Sequence, residues 1–283
     1  MLLLFAIQLQ AQDIEISYQC NDKREYNFKA INHSQRPYFV VLEFKDLVGT
    51  CTDTPGHVSR VEPGEAQICT LKPFLGASSF SSFNYRYFGS DPSAKIDPDY
   101  PYLIPVKDGF PVLTLPINNI SALVSRGIPA NWYSIGFKTN DGDTICASRG
   151  GIVVESKESE IGKDLSFNSN DNFICILHND GTIARYSRFE TNQVFPKVGE
   201  KVIASQPLGI VSSAKSNVPS YFDLMVYRSM ISGNEINCVL TKFCASGIKP
   251  EILLANNKYI AHHFPEVITK EMSRRMKKKY LGE

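Results

Sequence analysis

Short apolar segments of the kind that form β-strands dominate the chain. The clearest are YFVVLEF (38–44), GGIVVES (150–156), NFICILH (172–178), TIARYSRF (182–189) and YFDLMVY (221–227). They are rich in β-branched and aromatic residues and are bounded by Gly, Pro, Asn or Asp. Asp141-Gly142 and Asp180-Gly181 predict hairpin turns, because such turns need a positive φ that glycine adopts easily. Val198-Gly199 and Ser232-Gly233 mark further turns. The pattern predicts an all-β protein.

Helical periodicity is clear only near the end of the chain, from Pro265 to Leu281, with a weaker stretch at Asn119–Ser125. The segment 263–283 is therefore predicted to be a short, basic helical tail. Residues 270–280 contain six basic side chains and one acidic side chain. We expect a solvated helix here. The alternative is a surface that binds an anionic envelope polymer or a membrane.

The chain divides into five predicted segments. Residues 1–11 are a signal peptide, 13–80 a small β-sandwich-like domain, 81–115 an aromatic linker, 116–262 the main β domain and 263–283 the tail. The stretch 89–105 within the linker contains four of the 16 prolines. Five aromatic side chains are expected to pack the linker against a domain surface: Tyr85, Tyr87, Phe88, Tyr100 and Tyr102.

Composition and charge exclude several classes of protein. Of the 283 residues, 43% are hydrophobic and 21% are charged, which suits a packed core and argues against disorder. Thirty basic and 29 acidic side chains nearly balance, so the sequence predicts no nucleic-acid binding. No apolar run approaches the roughly 18 residues of a membrane span, so no transmembrane segment is expected.

The N-terminus resembles the end of a secretory signal peptide. Leu2–Ile7 is an apolar block, and Leu9 and Ala11 precede a plausible cleavage point. This predicts a secreted, periplasmic or cell-surface protein. The alternative is a buried first strand.

Seven cysteines occur, an odd number, and none are spaced as Cys-x-x-Cys, so a thiolate zinc site has little support. Cys146 and Cys175 lie within apolar strands and are predicted to be core residues. Cys51–Cys69 or Cys238–Cys244 could form disulfides in an oxidising compartment.

The residues by themselves indicate no active site. The five histidines form no His-x-His, His-Glu-x-x-His or His-x-x-x-Asp motif. His262 and His263 are adjacent and would point to opposite faces of a strand. There is also no Gly-x-Ser-x-Gly motif and no P-loop.

Four blocks of the chain nevertheless resemble the lysostaphin/LytM-type zinc metallopeptidase family: 133–158, 172–192, 195–214 and 221–228. The flanks at 83–106 and 239–261 are similar to an envelope-associated branch of that family. The resemblance implies a two-sheet antiparallel β domain (the duplicated hybrid motif) with a long groove. In the family, zinc-activated water cleaves a peptide of the peptidoglycan cross-link.

The resemblance also allows the family's zinc-site positions to be transferred. The Asp position falls on Gly136, and the histidine of a Tyr-x-His motif falls on Arg188. The His-x-His pair falls on Tyr221 and Asp223 or, after a one-residue shift, on Ser220 and Phe222. The first histidine lies in a poorly matched segment, where Arg126 is the nearest candidate. His178 survives, at a position that is not a ligand in the family, and is interpreted as structural.

The resemblance therefore implies a scaffold that is kept and a zinc site that is lost, with no cofactor remaining. The scaffold is indicated by glycines at predicted tight turns: Gly142, Gly181, Gly199 and Gly209. The chain is predicted to be a pseudoenzyme whose groove residues are Arg126, Gly136, Arg188, Tyr221, Asp223 and His178. Its predicted partner is a peptidoglycan peptide or an envelope protein. Cations near the groove floor (Arg188, Lys138 and Arg149) would suit carboxylates, unless they form only exposed ion pairs.

The sequence is also compatible with two other functions. The first is an active zinc endopeptidase with a non-standard site that uses Asp223, His178 or a histidine of the tail. The second is a structural or adhesive surface protein in which side chains from 126–136 fill the groove.

Overall fold

The computed structural model describes residues 13–52, 58–74, 80–115, 133–158, 172–212, 220–232 and 235–283. Contacts divide the chain into two compact units, Met1–Gly89 and Ser90–Glu283. The strands of the first unit are β1 (Ile14–Cys20), β2 (Tyr26–Asn32), β3 (Tyr38–Lys45), β4 (Thr50–Thr52), β5 (Val58–Val61), β6 (Gly64–Pro73) and β7 (Ser82–Phe88).

The strands of the second unit are β8 (Pro101–Tyr102), β9 (Pro111–Leu115), β10 (Ile135–Lys138), β11 (Thr144–Cys146), β12 (Gly151–Lys157), β13 (Phe173–Leu177), β14 (Ile183–Ser187), β15 (Phe189–Val194), β16 (Lys201–Val202), β17 (Pro207–Val211), β18 (Tyr221–Ser229), β19 (Ile236–Cys238), β20 (Lys242–Phe243) and β21 (Lys258–Ile260). Its helices are α1 (Pro265–Ile268) and α2 (Arg274–Leu281). The all-β prediction with a short C-terminal helical segment is confirmed.

The first unit is a small sandwich of two antiparallel sheets. One sheet has the order β1-β2-β6-β4 and the other the order β5-β3-β7. Side chains from both sheets share one core, which includes Ile14, Phe28, Val40 and Leu71, all almost fully buried. The sandwich-like arrangement expected for the N-terminal strands is confirmed.

The segment 81–115, predicted as a linker, is divided between the two units. Ser82–Phe88 forms β7, because its alternating aromatic residues suit a strand that pairs with β3. The boundary between the units follows at Gly89. Beyond it, Tyr100 and Tyr102 are buried in the second unit, so this part of the segment contributes to the core.

The second unit places a three-stranded sheet against a larger one. The large sheet has nine strands, in the order β16-β12-β13-β14-β18-β10-β9-β21 with β19 added beside β18. The smaller sheet has the order β11-β17-β15. Phe137 and Phe222 from the large sheet meet Ile145 and Leu208 from the small one in a common core. The two-sheet antiparallel architecture is confirmed, with one parallel pair, β20 and β8, at its margin.

The predicted strand at 182–189 is two strands, because the chain changes sheets at Arg188. β14 pairs with β13 and β18 in the large sheet, whereas β15 pairs with β17 in the small one. Arg188 lies between them with a φ of 74°, a conformation that non-glycine residues rarely adopt. Its N–H donates a hydrogen bond to the carbonyl of Asn172 at 2.8 Å, which stabilises the bend.

Three of the four glycines predicted at tight turns have the expected conformation. Gly142, Gly181 and Gly199 have φ values of 79°, 86° and 89°. The prediction for Gly209 is wrong, because this residue lies within β17. A Cβ there would lie 2.3 Å from the carbonyl oxygen of Gln193 on β15. The absence of a side chain at Gly209 therefore allows β15 to pack closely against β17.

Gly151→Ala is expected to lower the free energy of unfolding by about 1–3 kcal/mol through overpacking. A Cβ at Gly151 would lie 2.3 Å from the Leu177 carbonyl oxygen and 2.7 Å from Ile176 Cγ2, both on β13. Gly247→Ala is the matched control, since nothing lies within 4 Å of its Cβ position. Urea denaturation of the two variants measures the difference. Equal effects would contradict the role assigned to Gly151.

The predicted helix from 265 to 281 is interrupted at 269–273. Val267 and Ile268 of α1 are buried beside Leu103, whereas every residue of α2 is exposed. The break is explained by Ser273, whose side chain accepts a hydrogen bond from the Met276 N–H and starts α2 as its N-cap. No helix in the described ranges has the length and apolar character needed to span a membrane. The weak helix predicted at 119–125, like residues 1–11, lies outside the described residues.

The structure tests the predictions for four of the cysteines. Cys146 and Cys175 are buried in the core, as predicted. Cys238 and Cys244 are not bonded to each other, and Cys244 Sγ donates to the Ile248 carbonyl at 3.3 Å. The side chain of Cys51 lies outside the described part of the structure, so a Cys51–Cys69 disulfide stays a prediction.

Candidate functional site

The described positions that match the family's zinc site lie close together where β10, β18 and β14 pair in the large sheet. Gly136 of β10 pairs with Asp223 of β18. Asp223 pairs on its other side with Ser187, the last residue of β14. Arg188 follows directly, at the point where the chain leaves this sheet. Positions that are up to 87 residues apart in sequence, from 136 to 223, thus become neighbours.

An arginine, an aspartate and a tyrosine meet beside this row. Arg188 Nε lies 3.4 Å from Asp223 Oδ2, and the side chains are 25% and 19% exposed. The Arg188 guanidinium lies over the Tyr221 ring, 4.2 Å from its centroid, in a cation–π arrangement. We call Arg188, Tyr221 and Asp223 the Arg188 cluster.

Strand alternation determines which face of the sheet carries the cluster. Tyr221 and Asp223 are partly exposed, whereas Phe222 and Leu224 between and beside them point into the core. Phe222 stacks on Phe137 with ring centroids 5.3 Å apart. The face that carries the cluster is therefore supported from behind by tightly packed aromatic side chains.

The same alternation distinguishes the two alignments that the sequence left open. In the shifted alignment the paired positions are Ser220 and Phe222. Phe222 is fully buried on the core side, and the Ser220 hydroxyl donates a hydrogen bond to Asp141 at the entrance of β18. Only the ungapped alignment, with Tyr221 and Asp223, places both positions on the face that carries Arg188.

The chemistry of the cluster differs from that of a metal site. A guanidinium stays protonated in proteins and has no lone pair for a metal, and the phenol of Tyr221 carries the cation on its ring face. Asp223 supplies a carboxylate that faces a positive charge. Within the described ranges, no group of three or more His, Cys, Asp or Glu side chains is placed to hold a metal ion.

The other two cations predicted near the groove floor have different surroundings. Lys138 is exposed and lies opposite Tyr221 in the register of β10 and β18, at the edge of the cluster. Arg149 is only 3% exposed and is engaged by two carboxylates. The interpretation of Arg149 as a groove cation is therefore wrong, because its charge is neutralised inside the protein.

Arg149 is the centre of a second buried polar cluster. Its Nη1 donates to Asp180 Oδ2 at 2.7 Å, and its Nη2 donates to Glu271 Oε1 at 2.5 Å. The guanidinium also stacks on the Tyr100 ring, 3.7 Å from its centroid. Burial by itself would lower the pKa of Arg149, but its bonds to Glu271 and the negative charges around it raise that pKa overall. We call Arg149, Asp180 and Glu271 the Arg149 triad.

His178 lies beside this triad and away from the Arg188 cluster. Leu177, the residue before it, pairs with Ile183 at one end of β14, whereas Asp223 pairs with Ser187 at the other end. At about 3.3 Å per residue, the two positions are separated by roughly 15 Å. His178 is completely buried, and its Nδ1 donates a hydrogen bond to the Gly150 carbonyl at 2.8 Å. This placement agrees with a structural role. Arg126 lies outside the described residues.

Burial and the nearby Arg149 charge lower the pKa of His178 from 6.5 to about 3. The imidazole is therefore neutral at physiological pH. The Arg149 charge also holds the pKa of Asp180 below its ordinary value, against the opposing effect of burial. Asp180 Oδ1 accepts bonds from the Thr182 N–H and hydroxyl, so the Asp-Gly turn predicted from sequence also orients a partner of Arg149.

Sequence reasoning missed the Arg149 triad. The sequence marks Asp180 as a turn residue and Glu271 as the one acid of the stretch 270–280. Glu271 lies 122 residues after Arg149, and no local pattern links the two. The available signal was the isolated acid at position 271, the only one in the stretch 270–280.

Comparison with known proteins shows that the chain is similar to several solved structures. No family model matches the chain. No curated protein matches it either. Lysostaphin, solved by NMR, is 23% identical over 38% of this chain and 40% of its own, with a TM-score of 0.30. A LytM protein from Ruminococcus gnavus is 17% identical over 48% of this chain and 57% of its own, with a TM-score of 0.32.

Csd3 from Helicobacter pylori is 13% identical and matches 96% of this chain and 77% of its own, with a TM-score of 0.30. The chain thus spans less than two thirds of the length of lysostaphin and of the Ruminococcus protein. Lysostaphin and LytM are the proteins after which the family suggested by the sequence blocks is known. At these identities and TM-scores, the likeness assigns no activity and no ligand residues to this chain.

Proposed function

We propose that the chain is a catalytically inactive relative of the LytM-type peptidases that works in the bacterial cell envelope. In this role it binds a peptide of the wall, or regulates a wall-processing partner, through the sheet face around the Arg188 cluster. The observation that carries the proposal is that Gly136 pairs with Asp223, while Arg188 contacts both Asp223 and Tyr221. The apolar segment at residues 1–11 supports export.

The side chains of the cluster support binding better than hydrolysis. Zinc-dependent cleavage needs about three ligands on the metal and one open position for water. In the proposed alignment, glycine, arginine and tyrosine occupy positions that would have to supply ligands or handle the water. An arginine in this place repels a cation and attracts an anion.

Arg188 suits a ligand that carries a carboxylate. Its planar guanidinium can form two parallel hydrogen bonds with such a group. The Arg188–Asp223 contact is long at 3.4 Å, beyond the usual length of a charge-assisted hydrogen bond, so a ligand carboxylate with better geometry could replace it. Peptides of the bacterial wall carry free carboxylates, which makes them a suitable class of ligand.

Metal analysis and a cleavage assay test the loss of activity. The purified protein is expected to hold no stoichiometric zinc and to release no peptide from peptidoglycan, because the proposed site lacks imidazole ligands. Elemental analysis by mass spectrometry and chromatography of soluble peptides measure the two quantities. Tight zinc together with hydrolysis would overturn the proposal and favour the active peptidase. In that case, Asp223→Ala and His178→Ala variants would show whether either residue takes part.

A pull-down with insoluble peptidoglycan tests binding by the same protein. Arg188→Gln is expected to weaken binding by about ten-fold or more, because a charge-assisted bond contributes roughly 1.5–3 kcal/mol. Arg60→Gln is the matched control, since Arg60 also forms a partly exposed ion pair, with Glu62 in the first unit. Equal weakening by both variants would contradict a role for the Arg188 cluster. It would favour an adhesive protein that binds elsewhere.

A further inference from the structure

The last helix of the chain concentrates positive charge on an exposed element. α2 has the sequence RRMKKKYL, and all eight residues are exposed. Five of the eight are basic: Arg274, Arg275, Lys277, Lys278 and Lys279. Lys270 adds a sixth positive charge just before the helix. The chain as a whole has a net charge of only +1, so the remaining residues hold an excess of acids.

Acidic neighbours do not offset this charge locally. Residues 270–283 contain two acids, Glu271 and Glu283. Glu271 is engaged by Arg149 through three hydrogen-bonding nitrogen–oxygen contacts of 2.5–3.2 Å. Glu283 follows the helix. The charge of α2 is therefore available to a partner outside the protein.

The same helix also exposes apolar side chains among its cations. Met276, Tyr280 and Leu281 are 50%, 44% and 40% exposed. Met276 and Tyr280 are one turn apart and share a side of the helix, with Lys277 and Lys279 on its two flanks. A long lysine side chain can lie along an apolar surface while its ammonium group reaches a polar layer.

The helix is capped at both ends and anchored at its start. Ser273 caps its start, and Gly282 ends it in the left-handed conformation with a φ of 75°. Before it, Val267 and Ile268 of α1 are buried in the second unit, and Glu271 is bound by Arg149. α2 therefore projects from an anchored base, so little ordering is needed when it binds a surface.

We propose that α2 is a docking element for an anionic lipid bilayer. Cationic side chains attract acidic lipid headgroups, and Met276 and Tyr280 enter the boundary between headgroups and acyl chains. A soluble polyanion would use the charges but would have no use for the exposed apolar residues. This inference is independent of the groove and holds whether or not the groove binds wall peptides.

Vesicle co-sedimentation of the full chain tests the inference. The protein is expected to bind phosphatidylcholine vesicles that contain phosphatidylglycerol and not those of phosphatidylcholine alone, with binding that falls as salt increases. Replacing Lys277, Lys278 and Lys279 together by Gln is expected to reduce the partition coefficient roughly 100-fold, about five-fold for each charge. The matched control replaces Lys107, Lys201 and Lys249 by Gln, which removes the same charge from other exposed positions.

A second variant separates a membrane from a soluble polyanion. Replacing Met276 and Tyr280 together by Ser is expected to reduce vesicle binding several-fold and to leave retention on a heparin column unchanged. Three results would overturn the inference. These are no binding to the acidic vesicles, an equal loss in the control triple variant, or unchanged vesicle binding by the Ser variant.

Discussion

Replacement of Arg149 by Met is expected to lower the free energy of unfolding by about 3–5 kcal/mol. Asp180 and Glu271 face the Arg149 guanidinium at 2.7 and 2.5 Å and are themselves only 18% and 20% exposed. Without the arginine, the two carboxylates would remain close together with little solvent around them. The loss would come mainly from this uncompensated charge, since Met preserves much of the contact with the Tyr100 ring.

Denaturation by urea measures the change in the free energy of unfolding. Two further variants show whether the stranded charges cause that change. Arg60→Met breaks an exposed ion pair with Glu62 and is expected to change stability by no more than about 1 kcal/mol. Adding Asp180→Asn and Glu271→Gln to Arg149→Met is expected to restore part of the lost stability, because the stranded charges are then removed. A loss below about 1 kcal/mol for Arg149→Met would contradict the importance of the triad. Absence of any recovery in the combined variant would contradict the charge explanation.

Acid is expected to destabilise the protein through His178. The pKa of this imidazole falls from 6.5 to about 3 in the fold, because it is buried and lies near Arg149. Between these two pH values the unfolded chain binds a proton at this position and the folded chain does not. The free energy of unfolding therefore falls by about 1.4 kcal/mol for each pH unit below 6.5, and the effect is absent above that pH.

The contribution of His178 is isolated by comparison with His178→Gln, whose amide can still donate to the Gly150 carbonyl. The stability difference between the two proteins is expected to shrink as the pH is lowered from about 6.5 to about 4, by about 1.4 kcal/mol per unit. His263 also has a lowered pKa, because it is buried, but it is present in both proteins and does not affect the difference. Parallel stability curves for the two proteins across this range would show that His178 is not buried in its neutral form.

The strand pattern was predictable because its cause is local. Apolar alternation and β-branched residues identified β3, β12, β13 and β18 to within a residue or two. The sequence also predicted the positive φ of Gly142, Gly181 and Gly199. Gly209 was misinterpreted because its requirement is a close approach by β15, which depends on residues far away in sequence.

The change of sheets at Arg188 shows the limit of local pattern. TIARYSRF alternates as one strand, and nothing in those eight letters marks a bend. The bend is a consequence of two different partners, β18 for the first part and β17 for the second. The break in the C-terminal helix was missed for a similar reason, since only α1 has core residues to pack against.

The sequence by itself determined the all-β character, several of the strands and turns, and the basic tail. These properties depend on side-chain type and short-range spacing. The tertiary structure decided which of these residues are neighbours. It placed Arg188 against Asp223 at the row where three strands meet, and it buried Arg149 between acids from two distant segments. Pairing of charges depends on distance in space, and strand pairing sets that distance without regard to separation along the chain.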